Sequence, residues 1–586
     1  MIGGRAHNNR AVGNHMNILQ VLTRTLALTT VLVSTVISIQ SAQAQSVQTK
    51  NPDTFTSLYS FGYLGNTPVT GLIQATNGNL YGTTTGGNPS DASIYALTFS
   101  GTLTFTTFFP GNGYSGLPIQ ATDGSLYWTN FNPLAGEVFK ATLGGATYQF
   151  STFYCTEESC PGANPVLGPL VQPSNGDFYG TASMGGANNF GSVFKMTPRG
   201  TLILLYSFCT QTDCTDGEYP YAGLLQATNG EFYGTTFEGG AHGDGTVFKV
   251  TANGTLTTLY SFCSQTDCTD GESPYAGLIQ GTKGDFYGTT SRGGANGSYG
   301  TVFKITAKGT LTTLYSFCSQ ADCTDGEYPY AGLIQATNGD FYGTTASGGA
   351  HDGGTVFKIT ASGKLTTLYS FCSQLNSYGV CTDGQTPYAG LLQATSGTFY
   401  GTTVMGGGGT TEGSGTVFSL SVGLGPFVAL QTNFGAAGGA VTILGTDLTG
   451  ATGVTFNGTA ATFTVNSTGT AISTTVPTGA TTGTVQVVTP AGTLSSSGVY
   501  TVVTSEPVLS LATGTYSGPQ TVSITDATGG AAIYYTTNGK NPTTASSVYT
   551  GPITVSSSET LKANAIASGC APSAIASAVY TVRAVR

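Results

Sequence analysis

Short runs of alternating apolar and polar residues, separated by glycine-containing turns, make up most of the chain after residue 45. In 300–317, for example, the runs Thr-Val-Phe-Lys-Ile-Thr and Thr-Leu-Thr-Thr-Leu-Tyr-Ser-Phe lie on either side of a turn at Gly309. A period of two is typical of half-buried β-strands, and no long stretch shows the helical period. The pattern therefore predicts an all-β protein.

One phrase, close to Gly-Leu-Ile-Gln-Ala-Thr-Asn-Gly-Asp-Phe-Tyr-Gly-Thr-Thr, occurs seven times. Each copy predicts two strands, often joined by Asn-Gly, which is a strong hairpin signal. The two phrases that follow each copy predict a third and a fourth strand. Four antiparallel strands in each repeat are typical of a β-propeller blade. The tyrosines of the seven copies are 46 to 58 residues apart, at Tyr81, Tyr127, Tyr179, Tyr233, Tyr287, Tyr342 and Tyr400.

The two ends of the repeat array indicate ring closure. The strand phrase Leu58-Tyr59-Ser60-Phe61 precedes the first copy, and the corresponding phrase is missing after the seventh, where the chain continues into 423–426. A closed ring requires this exchange of one outer strand. Residues 54–425 are therefore predicted to form a seven-bladed β-propeller closed by an N-terminal outer strand, with its longer loops and any binding site on one face.

Two further blocks of alternating Thr, Val and Phe residues follow the repeats, at 426–504 and 505–586. Both have the length and turn spacing of small β-sandwiches. The full prediction is an all-β chain, with a seven-bladed β-propeller followed by two immunoglobulin-like β-sandwiches.

The first 44 residues differ in composition from the rest. Three arginines precede the apolar run 26–39, and Ala42-Gln43-Ala44 is a typical cleavage signal, so 1–44 is predicted to be a secretory signal peptide. Its removal changes the formal net charge from −10 to −13, which argues against a nucleic-acid partner. The protein is expected to be secreted or at the cell surface, with no transmembrane segment after cleavage.

Ten of the eleven cysteines occur in pairs, each just after a Leu-Tyr-Ser-Phe strand. The spacing, Cys-x4-Cys in four pairs and wider in Cys372/Cys381, without histidine partners favours local disulfides over a metal site. Cys570 is left over and is expected to be a buried free thiol. The five predicted disulfides are Cys155–Cys160, Cys209–Cys214, Cys263–Cys268, Cys318–Cys323 and Cys372–Cys381.

These motifs resemble known families. The repeats of 54–425 resemble the Gloeo/Verruco-type tandem repeat of exported bacterial proteins, although copies 1 and 2 lack the cysteine pair. Residues 426–504 resemble the TIG/IPT immunoglobulin-like module through Val-Thr-Ile-x-Gly at 441–445, and 505–586 resemble the chitobiase/β-hexosaminidase C-terminal type sandwich through Tyr-Tyr-Thr-Thr-Asn-Gly at 534–539. The resemblance implies accessory modules for binding or spacing, not catalysis.

Aromatic residues in the cysteine-containing loops are candidates for stacking on sugars, since each has an exposed face beside acidic groups. The alternative role is packing between neighbouring blades. Trp128, the only tryptophan, stands where glycine is usual and is expected to be either a packing wedge or a binding platform. The candidate tyrosines are Tyr219, Tyr221, Tyr275, Tyr328, Tyr330 and Tyr388.

Acidic residues recur in the same loops as Asp-Gly-Glu, with a second aspartate three residues earlier. Oxygen-rich loops with a glycine turn are able to hold calcium, whereas the alternative is that Asp-Gly only makes the turn and the acids are solvated. No other cofactor is predicted. The candidate ligands are Asp213, Asp216, Glu218, Asp267, Asp270, Glu272, Asp322, Asp325 and Glu327.

Two further repeated positions favour structural roles. A glutamine occupies the same place in every first strand, where it either lines the channel or satisfies backbone groups between blades. Lysines that end the third strand face acids that begin the second, which predicts exposed cross-strand ion pairs. These pairs are Lys195–Asp177, Lys249–Glu231, Lys304–Asp285 and Lys358–Asp340.

No catalytic motif is recognisable in the sequence, and repeated like groups favour multivalent binding over one reaction centre. The predicted function is non-catalytic recognition of a polysaccharide or cell-surface polymer, or of another surface protein, through the loop-rich propeller face. Two alternatives stay open: an extracellular glycoside hydrolase or lyase with carboxylates on that face, and a purely structural adhesin or spacer.

Overall fold

The computed structural model describes residues 53–583, apart from 63–66, 86–90, 111–114, 133–134, 154–162, 166–167, 174 and 409–412. The predicted signal peptide and the Cys155–Cys160 pair lie outside the described residues. Within this part of the chain the regular elements are β-strands and three short 3-10 helices, so the all-β prediction is confirmed. It contains no apolar helix long enough to cross a membrane. The 3-10 helices are Thr212–Cys214, Thr266–Cys268 and Ala321–Cys323.

The described part of 53–425 forms seven four-stranded antiparallel sheets, numbered here 1 to 7 in chain order. Sheets 1 to 3 consist of Ile73–Gln74, Leu80–Thr84, Asp91–Leu97 and Leu103–Pro110; Ile119–Gln120, Leu126–Asn132, Ala135–Ala141 and Thr147–Phe153; and Ala163–Pro165, Phe178–Met184, Ser192–Met196 and Leu202–Ser207. Sheets 4 and 5 consist of Leu225–Gln226, Phe232–Thr236, Thr246–Val250 and Leu256–Ser261; and Ile279–Gln280, Phe286–Thr290, Thr301–Ile305 and Leu311–Ser316. Sheets 6 and 7 consist of Ile334–Gln335, Phe341–Thr345, Thr355–Ile359 and Leu365–Ser370; and Leu392–Gln393, Phe399–Thr403, Thr416–Ser421 and Thr54–Ser60.

The N-terminal strand Thr54–Ser60 is the outer strand of sheet 7. It pairs antiparallel with Thr416–Ser421, from Thr54 opposite Ser421 to Ser60 opposite Thr416. The first strand of the array therefore completes the last sheet, as the two ends of the repeats predict. Because the exchange joins residues more than 300 positions apart, unfolding of sheet 7 must release both ends of the array together.

Apolar clusters between the sheets show how the seven sheets follow one another. In five of these clusters a tyrosine and a valine from one sheet pack on phenylalanines of the next, such as Tyr233 and Val247 on Phe286 and Phe303. Corresponding clusters join every consecutive pair of sheets, and one joins sheet 7 to sheet 1 through Tyr400. Each sheet thus buries both of its faces against its neighbours, and the series has no apolar end.

The glutamine of the first strand ties each sheet to the one before it. The Gln335 side chain accepts a hydrogen bond from the Thr282 backbone N–H at 2.9 Å, and Gln74 accepts one from Thr395 of sheet 7, also at 2.9 Å. Gln120, Gln172, Gln280 and Gln393 make the same contact. For these six glutamines the role of satisfying backbone groups between sheets is confirmed. For Gln226, the residue in the position of the backbone donor is residue 174, which lies outside the described residues.

The predicted cross-strand ion pairs are present. Lysine and carboxylate are 3.1 to 3.8 Å apart in the pairs Lys195–Asp177, Lys249–Glu231, Lys304–Asp285 and Lys358–Asp340. Lys140 and Asp123 form a further pair at 2.8 Å. All are partly exposed, so each contributes little to stability.

Residues after 425 form two groups of sheets, each with its own core. In the first, Val441, Ile443, Val485 and Tyr500 are buried between a four-stranded and a five-stranded sheet. Its strands are Ala429–Leu430, Ala440–Leu444, Ala471–Thr475 and Phe463–Val465, with Phe434–Gly435, Gly492–Val502, Gly483–Thr489, Gly453–Phe456 and Thr459–Ala461.

The second group has a core around Leu561, Ala563 and Tyr580. A five-stranded sheet consists of Gly514–Ser517, Ala576–Arg583, Glu559–Ile566, Ala532–Thr536 and Ser547–Val548. Two strand pairs complete it: Val508–Leu509 with Ile524–Thr525, and Gln520–Val522 with Ile553–Val555. Cys570 is a free thiol, as expected, but it is only half-buried, at the edge of the first group's core.

Candidate functional site

The two ends of the seven sheets carry different connections. At one end, tight turns join first to second and third to fourth strands, and residues 426–504 contact these turns. The Asn466 and Thr470 side chains donate hydrogen bonds to the Thr76 carbonyl at 2.8 and 2.6 Å, and the Phe427 N–H donates to the Thr395 carbonyl at 2.9 Å. The opposite end, called the loop-rich face below, carries the longer loops.

Two kinds of loop form this face. The disulfide loops run from the first cysteine to a tyrosine, at 209–221, 263–275, 318–330 and 372–388. The hairpin loops join second and third strands, at 237–245, 291–300, 346–354 and 404–415. Four predicted disulfides close the disulfide loops, Cys209–Cys214, Cys263–Cys268, Cys318–Cys323 and Cys372–Cys381, so their pairing is confirmed.

A buried aspartate organises each disulfide loop. The Asp270 carboxylate has no exposed surface and accepts four hydrogen bonds: from the Tyr260 hydroxyl at 2.7 Å, the Ser264 N–H and hydroxyl at 2.9 Å, and the Gln265 N–H at 3.2 Å. Burial raises the pKa of Tyr260 to about 12, so this phenol is a hydrogen-bond donor at neutral pH. Asp216, Asp325 and Asp383 are equally buried and hold the same contacts in their loops.

This arrangement corrects the prediction for Asp216, Asp270 and Asp325. Their oxygens are occupied by donors of their own loop, so they are neither calcium ligands nor solvated turn residues. The other predicted ligands differ from these three in burial. Asp213, Asp267 and Asp322 are exposed, with φ of 54° to 56°, whereas Glu218, Glu272 and Glu327 are half-buried.

Within the ranges that the structure describes, three close groups of potential metal ligands lie on this face. In the described part of the chain, each close group of candidate ligands on this face combines one carboxylate with the two sulfurs of a disulfide, as in Cys209, Cys214 and Glu218. Disulfide sulfurs are not thiolates and do not serve as such ligands. For the exposed aspartates and the half-buried glutamates, calcium binding stays a prediction.

Four of the candidate tyrosines form a continuous series across sheets 4 to 7. Ring centroids are 5.2 Å apart for Tyr221–Tyr275, 5.6 Å for Tyr275–Tyr330 and 4.7 Å for Tyr330–Tyr388. The first three are half-buried and Tyr388 is 39% exposed. In this tyrosine arc, Tyr221, Tyr275, Tyr330 and Tyr388, each ring packs on the next, as the packing alternative predicts, and each still presents surface to solvent; stacking on sugars stays a prediction.

A proline before each tyrosine of the arc fixes its position. Pro274 is buried against Gly245 in the hairpin loop of the preceding sheet, where a Cβ atom would be 2.6 Å from the proline ring. Gly245 also has φ of 96°, which only glycine adopts without strain. Pro220, Pro329 and Pro387 meet Gly191, Gly300 and Gly354 in the same way. The arc is thus set on a rigid backbone before any ligand arrives.

The arc is not a full ring. In the first two copies, Val69 and Ser115 occupy the position of the tyrosine, and Leu167 occupies it in the third. The sequence analysis treated the loops of the repeats as carrying like groups and missed this asymmetry. Alignment of the residues five positions before each repeated glutamine reveals it. Among the described residues the arc is therefore confined to sheets 4 to 7.

Acidic side chains adjoin the arc. Glu218 in the disulfide loop and Glu238 in the hairpin loop lie directly opposite in an antiparallel bridge, with N–H···O distances of 2.8 and 3.1 Å. Burial, followed by the charges of Glu238 and Asp216, raises the pKa of Glu218. Burial also raises the pKa of Glu327, with Asp352 adding to it. The carboxylates at these positions repel one another.

The bridge has the same backbone geometry in four sheets but a different side-chain pair in each. Glu218 faces Glu238 in sheet 4, and Gln385 faces Met405 in sheet 7. The pairs in sheets 5 and 6 are Glu272 with Arg292 and Glu327 with Ser347. Repeated backbone with varied side chains gives each part of the arc a distinct chemical neighbour.

Trp128 does not belong to this face. It is fully buried and stacks on Phe139 at 5.6 Å between sheets 1 and 2, so the binding-platform prediction is wrong and the wedge prediction is confirmed. In other sheets a leucine, such as Leu224, lies 3.2 Å from the Cβ position of the equivalent glycine. Sheet 2 has Pro118 in place of that leucine, which leaves room for the indole.

Tyr219 and Tyr328 lie beside the arc rather than in it. Both have positive φ, 52° and 57°, and their rings contact Phe190 and Tyr299 of the preceding sheets at 5.6 and 5.9 Å. The six candidate tyrosines therefore share one face, with four in the arc and two flanking it.

Comparison with known proteins identifies two parts of the chain. The family model described as Gloeobacter/Verrucomicrobia repeat matches residues 86–269 and 208–380. The model described as chitobiase/beta-hexosaminidase C-terminal domain matches residues 511–577. No curated protein sequence is significantly similar to the chain.

Solved structures with a similar arrangement are distant in sequence. A streptogramin B lyase structure is 14% identical, with a TM-score of 0.42, and the alignment covers 63% of this chain and 98% of that one. A catalytically inactive virginiamycin B lyase from Staphylococcus aureus, with quinupristin, is 14% identical, with a TM-score of 0.43 and coverages of 63% and 99%. At this distance neither carries a conclusion about activity here.

Proposed function

We propose that this chain, a member of the Gloeobacter/Verrucomicrobia repeat family whose model matches half of its length, is an exported, non-catalytic binding protein for a polysaccharide. The repeats at 54–425 are the blades of a closed seven-bladed β-propeller. Residues 426–504 are an immunoglobulin-like module of the TIG type, and 505–586 are a second sandwich. The loop-rich face of the propeller holds the ligand.

The closed-ring proposal is supported by three sets of contacts that all join sheet 7 to sheet 1. These are the exchanged strand Thr54–Ser60, the apolar cluster around Tyr400, and the hydrogen bonds between Gln74 and Thr395. A ring leaves no sheet with an uncovered apolar face, which an open array of the same repeats would have at both ends.

The tyrosine arc is the observation that carries the binding proposal. Polysaccharides present apolar ring faces and hydroxyl groups, so a series of tyrosines beside carboxylates suits them on both counts. Positions held by proline–glycine contacts lose little conformational freedom on binding. Several adjoining weak contacts add along a polymer, which favours a long chain over a single sugar.

Export is supported by the disulfides and by the C-terminal module. Four disulfides in one domain are typical of proteins outside the reducing cytosol. The matched chitobiase-type module is carbohydrate-related by its description. Residues 426–504 cover only tight turns in the contacts described above, so the loop-rich face is available to a partner.

The test is a polysaccharide array probed with the mature protein and assayed in each well for new reducing ends. Binding without product is expected. The variants Tyr275→Ala and Tyr330→Ala should each weaken binding about fivefold, since one aromatic contact of this kind is of the order of 1 kcal/mol. Tyr378→Ala is the matched control, because Tyr378 is 67% exposed in a disulfide loop but is not in the arc.

Other outcomes would identify the alternatives. New reducing ends, lost when one pair of carboxylates on this face is neutralised, would make the protein a glycoside hydrolase or lyase. Binding unchanged in both arc variants would move the site elsewhere on the chain. Absence of binding and of product throughout would favour a structural adhesin or spacer, or a protein partner.

A further inference from the structure

One part of the loop-rich face differs from its equivalents in the other sheets. At sheet 4, four half-buried aromatic residues lie in the same loops as the bridge between Glu218 and Glu238 or in the loop packed against them. We call this group the sheet 4 cage and define it by Phe190, Tyr219, Tyr221, Phe237, Glu218 and Glu238. Only Tyr221 of these residues belongs to the tyrosine arc, so the cage adjoins one end of the arc.

The rings of the cage form a connected set. Centroids are 5.6 Å apart for Phe190–Tyr219, 6.5 Å for Tyr219–Tyr221 and 5.3 Å for Tyr221–Phe237. Backbone hydrogen bonds hold the three segments together: the Tyr219 N–H donates to the Phe190 carbonyl at 2.9 Å, and the Phe237 N–H donates to the Tyr219 carbonyl at 3.0 Å. The aromatic faces are therefore fixed relative to one another.

The cage does not recur in sheets 5 to 7. The residue equivalent to Phe237 is Ser291 in sheet 5, Ala346 in sheet 6 and Val404 in sheet 7. The two opposed glutamates are likewise present only in sheet 4 among the four described bridges. Because the cage is present in only one of these four sheets, it is able to discriminate between ligands. The tyrosine arc, by contrast, supplies the same kind of contact to every ligand.

The electrostatics of the cage favour a cation. Like charges directly opposite in an antiparallel pair destabilise it, and the charges acting on the Glu218 carboxyl, Glu238 and Asp216, are both negative. Aromatic faces attract cations through their quadrupole, and an ammonium placed between rings and carboxylates satisfies both. A neutral sugar would leave the repulsion in place, and a uronate or sulfate would add to it.

We infer that the sheet 4 cage binds the protonated amine of an amino sugar, so that the polysaccharide ligand is a cationic glycan with free amino groups. The inference rests on the proposed function and narrows its ligand class. The tyrosine arc holds the sugar rings that follow, and the cage sets which glycans are accepted. Charge complementarity with a chain of net charge −10 supports the same choice.

The chain itself offers the substitutions for a test. Sheet 7 carries Gln385 and Met405 in the same bridge with the same backbone contacts, so the double variant Glu218→Gln with Glu238→Met is compatible with this fold. Phe237→Ala copies sheet 6 in the same way. Glu231→Gln is the matched control, since it removes one acid of sheet 4 on the opposite face, where Glu231 pairs with Lys249 at 3.1 Å.

The measurement is calorimetric titration of the mature protein with two oligosaccharides of equal length, one of glucosamine and one of N-acetylglucosamine, at low salt and about pH 6, which is above the ordinary pKa of a glutamate. We expect the wild type and Glu231→Gln to bind the free-amine oligosaccharide about tenfold more tightly than the acetylated one. The double variant and Phe237→Ala should lose this preference and retain the weaker affinity for both sugars.

The outcomes separate this inference from the function on which it rests. Equal binding of both sugars, unaffected by the double variant, would overturn the inference and leave polysaccharide binding intact. Failure to bind either sugar, when neutral or anionic glycans bind on the array, would also overturn it. Binding of a lysine polymer but of no glycan would overturn both, because the cage would then serve a protein partner.

Discussion

The buried aspartate of the disulfide loop gives the sharpest test of the loop architecture. In the variant Asp270→Asn, the amide oxygen can replace Oδ2, which accepts bonds from the Tyr260 hydroxyl and from the Ser264 N–H and hydroxyl. The amide NH2 group then faces the Gln265 N–H, so one donor is left without its acceptor. A lost hydrogen bond to a charged group costs about 1.5–3 kcal/mol.

That cost should appear as a lower midpoint of thermal unfolding. Unfolding entropy is about 2 cal/mol/K for each residue, so a cooperative unit of roughly 370 residues loses about 1.3 °C per kcal/mol. We expect a decrease of roughly 2–4 °C for Asp270→Asn. Asp267→Asn is the matched control: Asp267 is exposed, has φ of 56°, and belongs to the same loop. Asparagine tolerates that φ, so its effect should be below about 0.5 kcal/mol.

Hydrogen exchange provides the local readout. The amides of Ser264 and Gln265 donate to the Asp270 carboxylate, so both should exchange faster in Asp270→Asn and remain unchanged in Asp267→Asn. Adding calcium should leave the effect of Asp270→Asn on the unfolding midpoint unchanged. Equal destabilisation by the two variants, a calcium-dependent effect of Asp270→Asn, or unaltered exchange of these two amides would refute this account of the loop.

Three further predictions follow from the other sites. Burial and the neighbouring acids raise the pKa of Glu218 in the folded state, so its contribution to stability is present below about pH 4.5 and is lost as the pH rises through the folded value. The variant Glu218→Gln should therefore raise the free energy of unfolding by roughly 0.2–1 kcal/mol at pH 7 and leave it unchanged at pH 4. Urea unfolding at the two pH values measures this difference. The variant Trp128→Ala should lower the free energy of unfolding by about 3–5 kcal/mol without changing glycan affinity. The variant Tyr148→Ala, at a 49% exposed residue of the same sheet, should change neither the stability nor the affinity. Replacing both Cys263 and Cys268 by serine should lower the free energy of unfolding by about 2 kcal/mol. A reductant should lower the thermal unfolding midpoint of the wild type more than that of the double variant, which has one disulfide fewer to lose.

The repeat phrase predicted much of the local structure because its physics is local. The apolar run Thr-Val-Phe-Lys-Ile-Thr predicts a strand of sheet 5, and a tight turn settles which strands pair, although the fold buries this strand on both faces and leaves only Lys304 partly exposed. The cross-strand ion pairs and four disulfides follow from the same register, since their partners are a few residues apart or directly opposite. The glutamine contacts were also predictable, because a buried amide requires backbone partners.

The errors concern residues whose surroundings come from elsewhere in the chain. Asp270 appears as one of several acids in a polar loop, but the fold places Tyr260 and two backbone N–H groups around it and removes it from solvent. For Trp128 the sequence left a packing wedge and a binding platform open, and the fold decides for the wedge by burying it between two sheets, where Pro118 replaces the leucine of other copies. Burial in these cases depends on a neighbour that the local pattern does not specify.

The sequence by itself determined the strands, their grouping in fours and the exchange of the first strand into the last sheet, because hydrophobic periodicity and turn residues act over a few positions. Only the tertiary structure decided that tyrosines of four successive sheets adjoin one another, and that two glutamates and four rings meet at sheet 4. Contacts between sheets join residues about 50 positions apart, and their geometry depends on how neighbouring sheets pack. The candidate site is therefore a property of the assembled array, although every one of its residues lies in a repeat that the sequence reveals.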